Sequence, residues 1–134
     1  MAAVVDASFA GAWILPDETS TQADVVLREV LSGAEKLAVP DLWSYEMANL
    51  LLSALRRGRI QERQVFEALR LVDCVPCTFH DAHSRLIRER IGRLAVRFHL
   101  SAYDAAYLEL ADRLQCKLYT NDGPLSQAAS ALGL

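Results

Sequence analysis

Asp104 and Asp122 bracket the stretch that most narrows the fold, SAYDAAYLELADRLQCKLYTNDGPL from Ser101 to Leu125. Ser101, with Asp104 three residues on, is a near match to a capping box. Ala105, Leu108, Ala111 and Leu114 then recur at helical spacing, with Tyr107 and Leu110 widening the stripe. Cys116 to Tyr119 is a short strand-like run, and Asn121, Asp122, Gly123 and Pro124 turn the chain out of it. A helix of about 14 residues spans roughly 20 Å. The strand that follows must run back along the helix to pack on it, so the two carboxylates finish at the same end of the unit. Acids 18 residues apart in sequence converge.

The rest of the chain alternates in the same way. A short buried strand is predicted over Ala2 to Val5, with Asp6 at its end. Ser8 through Trp13 begins a helix that Pro16 stops, and Glu18 to Leu31 forms a second that ends at Gly33. A strand over Lys36 to Val39 leads into a helix opened by Pro40 and Asp41, which runs to about Arg57 with Gly58 beyond it. Ile60 to Val72 reads as another helix. Val75 to Phe79 reads as a strand whose Pro76 places it near a sheet edge or a strand start. An arginine-rich helix from Asp81 to Phe98 precedes the Ser101 unit, and a last short helix covers Leu125 to Ala131. Such alternation predicts an α/β fold: a mostly parallel sheet of four to five strands with helices on both faces. No repeat or linker interrupts it, and residues 1–134 fit a single domain.

Composition excludes several classes. At 52% hydrophobic but only 7% aromatic, the chain is globular and aliphatic-rich. The apolar opening is broken by Asp6 and has no preceding basic residue, unlike a secretory signal, and no uninterrupted run approaches membrane-spanning length. Three cysteines without a signal point to reduced thiols and a cytoplasmic protein. The net charge of −3 speaks against nucleic acid until its distribution is considered. Setting aside Asp6, Glu46, Asp104 and Asp122 turns −3 into +1, and 12 of the 14 basic residues are arginine, the side chain best shaped for phosphate.

Those four acids belong together on topological grounds. Ligands of open parallel sheets gather beyond the carboxyl ends of the strands. Asp6 ends the first strand, Asp122 follows the last, and Asp104 opens the helix leading into it. Glu46 lies early in the helix launched from the second strand, among Leu42, Trp43, Tyr45, Met47, Ala48, Leu50, Leu51 and Leu52. That neighbourhood predicts a largely buried helix, where a lone carboxylate is costly unless paired or bound to a cation. Four crowded acids repel one another unless a divalent ion neutralises them, and all-oxygen ligands favour Mg²⁺ or Mn²⁺. Each acid also has a plainer reading: Asp6 as a helix cap, Asp104 as a capping-box acid, Asp122 as a turn residue. Asp17, Asp41 and Asp112 are read in that plainer way.

The order VVDAS, YEMANLL, SAYDAAYLELA and LYTND resembles the PIN-domain ribonucleases, in particular the VapC-type toxins of bacterial toxin–antitoxin pairs. The resemblance implies a PIN-like three-layer sandwich. It places Asp6, Glu46, Asp104 and Asp122 on the family's acidic quartet, which is at once catalytic and metal-binding, and Ser8, Asn49, Thr120 and Asn121 on its supporting polar positions. It also implies metal-dependent endonucleolytic cleavage of RNA by an activated water, needing neither a histidine base nor a protein nucleophile. A homodimer with a cognate antitoxin is expected too, the dimer from apolar surface on the Leu42 to Leu55 helix and around Phe9 and Trp13. Family members usually finish with another short strand, where this chain stops at Leu134.

RNA is expected to lie against arginines outside the acidic cleft: Arg56, Arg57 and Arg59 at a helix end, and Arg85, Arg88, Arg90, Arg93 and Arg97 on the long helix. The plainer reading is a solvated face paired with Glu89 and its neighbours. A competing constellation, Cys74, Cys77, His80 and His83, has zinc-ligand residue types at poor spacing and is read instead as buried thiols beside half-exposed histidines. Two rival functions remain open. A phosphatase or receiver-like phosphoryl-transfer domain wants a second Asp where Ser8 stands, or a strand-end lysine, whereas Lys117 lies at a strand start. A PIN fold that only binds a partner has no need of four converging acids.

Overall fold

The computed structural model describes residues 1–134. Four parallel strands form one sheet in the order β3-β2-β1-β4: β1 Ala2–Val5, β2 Lys36–Pro40, β3 Cys77–His80 and β4 Lys117–Tyr119. Position in the sheet explains their composition. Ala3, Val4 and Val5 of central β1 are buried in succession, as are residues 37–40 of β2, because both faces of an inner parallel strand are covered. The edge strands β3 and β4 are only half-buried, and the residue after Pro76 begins β3, so the proline donates nothing to the ladder.

Seven helices flank the sheet: α1 Ala7–Ala10, α2 Thr21–Ser32, α3 Leu42–Arg56, α4 Glu62–Cys74, α5 Arg85–Phe98, α6 Ala102–Leu114 and α7 Gly123–Ala131. A 3-10 turn over Gly11–Trp13 extends α1. Several starts fall later than the sequence suggests, because a cap decides them. Ser20 accepts from Ala23 N–H and starts α2 at Thr21 rather than Glu18, and a capping box of Gln61 and Gln64 starts α4 at Glu62. The predicted helix from Asp81 begins only at Arg85. None of the helices is long and apolar enough to cross a membrane.

The main core joins β1 and β2 to α6, with Trp43, Met47, Tyr107, Leu108 and Leu110 among its largest members. Helix α6 is buried from Ala105 to Ala111 without interruption. Two expectations need correction here. Helix α3 is not buried all round: Trp43, Met47, Leu51 and Ala54 face the core while Tyr45 and Leu52 are exposed, so its apolar run serves one face only. Phe9 and Trp13 are not free surface. Phe9 is 2% exposed, packed edge-on against Trp13, whose indole N–H donates to Ala23 O at 2.8 Å.

Candidate active site

Parallel strands share one carboxyl end, so the residues that leave β1 and β4 meet. Asp6 N–H donates to Tyr119 O at 3.1 Å, extending the β1–β4 pairing by one bond before the chains diverge. The Asp6 side chain, 5% exposed, is then fully engaged. Its Oδ1 accepts from Ser8 Oγ at 2.7 Å and from Phe9 N–H at 3.0 Å, which caps α1. Its Oδ2 accepts from the Thr120 hydroxyl. Capping α1 therefore does not use up Asp6, whose second oxygen reaches across to the β4 loop.

Ser8, Thr120 and Asn121 clamp the two loops together. Ser8 Oγ accepts from Asn121 N–H at 3.0 Å, and the Asn121 amide donates to Ser8 O at 3.0 Å. Thr120 Oγ1 accepts from Asp122 N–H at 3.0 Å, and Asp122 Oδ2 caps α7 through Leu125 N–H at 3.0 Å. Asp122 is thus an N-cap rather than only a turn residue. Asn49 makes no comparable contact: it lies on α3 one turn past Glu46, lining the same hollow as Glu46 and Ser8.

Asp104 comes to this end because Gln115, with φ +50°, reverses the chain between α6 and β4. Ser101, not Asp104, caps the helix, its Oγ accepting from Asp104 N–H at 3.1 Å. The Asp104 carboxylate is left to face the cleft. Partial burial pushes its pKa up, and the nearby Asp122 and Asp6 charges push it further, against a smaller lowering by Ser101. Glu46 behaves alike: burial raises it, Asp104 and Asp6 add to that, and the hydroxyl of Tyr107, donating to Oε1 at 2.5 Å, opposes them. Asp104 thus feels the charges of Asp122 and Asp6, and Glu46 those of Asp104 and Asp6, at one sheet end. No three of them are drawn tightly enough to grip an ion as they stand. The donor set nevertheless fits a hard divalent cation, being all oxygen and mutually repelling.

The arginines divide. Arg59 is held by Asp17 at 2.7 Å and by Glu18 at 3.1 Å, so it pins a loop, and Asp17 is a turn residue that also serves as an ion-pair partner. Arg90 reaches Glu109 and Asp112 at 3.4 Å each, so its charge is already paired. Asp112 sits inside α6, accepting from the Gln115 amide, and Asp41 makes no side-chain cap. Arg85 pairs with Glu89, Arg88 donates to the carbonyls of Ala82 and His83, and Arg97 lies over the Phe98 ring. Arg56, Arg57 and Arg93 are exposed at their predicted faces.

Two features escaped sequence reasoning. Tyr107 looked like one more member of an apolar stripe, and only the fold sets its hydroxyl on Glu46. Glu109, 1% exposed, is held by Arg113 at 2.9 Å as well as by Arg90; an i,i+4 pair inside the helix signature was the available signal. The expectation of buried thiols is corrected: Cys74 ends α4 and is exposed, Cys77 is only half-buried in β3, and His80 ends that strand.

Comparison with known proteins agrees with the fold. The family model of the PIN domain matches residues 3–131. The chain is 33% identical over 133 residues to Ribonuclease VapC3 of Pyrobaculum aerophilum, covering 98% of each chain. It is 36% identical over 128 residues to Ribonuclease VapC9 of Mycobacterium tuberculosis, covering 96% of this chain and 91% of that one. Its fold superposes on the crystal structure of PAE2754 from Pyrobaculum aerophilum with a TM-score of 0.73 at 24% identity, over 98% of this chain and 86% of that one. It also superposes on Mycobacterium tuberculosis VapC20, a sarcin–ricin loop cleaving toxin, with a TM-score of 0.66 at 18% identity, over 94% of each.

Proposed function

The chain belongs to the PIN-domain family, and on that premise we propose that it is a divalent-metal-dependent endoribonuclease, the toxin of a toxin–antitoxin pair. The carrying observation is the gathering of carboxylates at one sheet end, where Asp122 and Asp6 act on Asp104, and Asp104 and Asp6 act on Glu46, anchored by Asp6 with both oxygens hydrogen-bonded.

Asp6, Glu46, Asp104 and Asp122 would hold Mg²⁺ or Mn²⁺. Such an ion supplies Lewis acidity, making a water more acidic and offsetting charge that builds on the phosphodiester. The chain's own work is placement. Ser8 and Thr120 hold the Asp6 carboxyl group in place by hydrogen bonds, and Tyr107 fixes Glu46. Burial and the neighbouring carboxylates raise the pKa values of Asp104 and Glu46, so a cation held there would relieve the crowding of charge. RNA approaching the cleft meets Arg56, Arg57, Arg93 and Arg97 outside it.

The partners follow the same reading: a cognate antitoxin laying a basic or aromatic segment across the acids, and a homodimer in the cytoplasm. The exposed apolar side chains of Phe66, Leu71, Leu86 and Val96 support an assembly, in place of Phe9 and Trp13. Total RNA incubated with Mn²⁺, with EDTA, or with the Asp6→Asn variant tests the activity. Cleavage is expected with Mn²⁺ alone; cutting that survives both EDTA and the substitution would overturn the assignment.

A further inference from the structure

Two exposed tyrosines stand directly beside cleft acids. Tyr45 precedes Glu46 on α3 and is 80% exposed; Tyr103 precedes Asp104 on α6 and is 67% exposed. They come from elements about sixty residues apart in sequence, yet both line one hollow with Ser8, Glu46, Asn49 and Ser53. Neither ring contributes to the core, since Trp43 and Met47 carry the buried face of α3 and the buried run of α6 begins only at Ala105.

Charge makes these rings informative. The cleft is negative, which repels phosphate; the exposed Arg56, Arg57, Arg93 and Arg97 stand outside it, while Arg59 is held by Asp17 and Glu18 and Arg90 by Glu109 and Asp112. A substrate strand held at the acids must gain affinity there from something other than phosphate contacts. Base stacking on an aromatic face supplies that without positive charge. Along α3, Tyr45, Asn49 and Ser53 follow one another at intervals of four residues, so an aromatic face, an amide and a hydroxyl lie in one stripe. An amide and a hydroxyl together offer donors and acceptors to base edges.

Resting on the ribonuclease reading, we propose that Tyr45 and Tyr103 are base-stacking residues that clamp an unpaired stretch of RNA across the acids, with Asn49 and Ser53 reading the edge of the stacked base. Such stacking needs an unpaired base, because bases inside a duplex present no free face to a tyrosine.

The test measures binding of a single-stranded oligoribonucleotide carrying 2-aminopurine, in EDTA so that nothing is cut, beside the same strand in a duplex and the same strand with abasic sites. Parent protein is expected to quench the single-stranded probe and to bind the duplex and abasic forms weakly. Tyr45→Ala and Tyr103→Ala should each weaken binding about 10-fold, whereas Tyr45→Phe, Tyr45→Trp and Tyr103→Phe should keep the affinity because they keep a ring. Melting curves check that the alanine variants remain folded. Steady-state cleavage on the same samples should show the loss in KM, with kcat within about 3-fold. Alanine variants that bind like the parent, or phenylalanine variants that lose as much as alanine, would overturn the stacking role and leave the pair as a protein-docking feature. A parent that binds and quenches the probe but never cuts RNA with Mn²⁺ would instead sink the ribonuclease reading alone.

Discussion

The Tyr107 hydroxyl donates to Glu46 Oε1 at 2.5 Å across 61 positions of sequence, tying α6 to α3 at the mouth of the acidic cleft. Glu46 in turn drives the phenol pKa up, after burial, so the tyrosine stays a donor throughout the working range. The bond also opposes the upward shift of Glu46.

Tyr107→Phe therefore removes a restraint that lowers the Glu46 pKa, and that pKa should climb further. Protons then compete with a cation at Glu46 up to a higher pH. RNA cleavage should fall about 10-fold or more at the acid end of the profile and recover toward the parent rate as pH rises. A pH–rate profile of both proteins checks it; a uniform loss at every pH would make Tyr107 a packing residue only.

Asp104 and Ser101 separate capping from charge crowding. Ser101→Ala should cost about 1 kcal/mol with or without metal, since it removes the hydroxyl that caps α6. Asp104→Asn should behave oppositely in the metal-free protein. A carboxyl whose folded pKa is raised holds its proton longer when folded than when unfolded, so its ionisation lowers stability as pH rises through that pKa. The Asn variant should thus melt at or above the parent at pH 7, with the difference shrinking as pH falls through the carboxylate range. Mn²⁺ should raise the melting temperature of the parent and of Ser101→Ala, but hardly that of Asp104→Asn. Melts of the three proteins at several pH values decide between the roles.

Much of this was legible in the chain. Strand-terminal Asp6 and the Ser101-to-Leu125 unit predicted where the acids meet, because parallel topology leaves little choice about which end they share. Boundaries were less legible: Ser20 and the Gln61–Gln64 box set helix starts through hydrogen bonds that hydrophobic spacing does not register. Helix α3 misled for a related reason. Its leucines and tyrosine read as all-round burial, yet Tyr45 and Leu52 stand in solvent, and no periodicity could assign an aromatic to surface beside an acid. Ion pairing across the fold, as in Arg59 with Asp17 or Arg90 with Glu109, depends on tertiary neighbours that sequence does not order.

The two kinds of arginine should differ in stability. Arg113→Ala leaves the Glu109 carboxylate buried with only the more distant Arg90 beside it, and should cost about 3 kcal/mol. Arg59→Ala breaks a solvent-facing pair with Asp17 and Glu18 and should cost about 1 kcal/mol or less. Denaturant unfolding measures both, and equal losses would contradict the burial argument.

Titration of metal-free protein with Mn²⁺, followed by calorimetry, probes the four-carboxylate site itself. The parent should bind Mn²⁺ saturably, and Asp6→Asn, Glu46→Gln, Asp104→Asn and Asp122→Asn should each weaken that binding about 10-fold or more while remaining folded. Arg59→Ala should bind as the parent does. A parent that takes up no Mn²⁺, or a set of folded variants that all bind it unchanged, would show that these acids do not form a cation site.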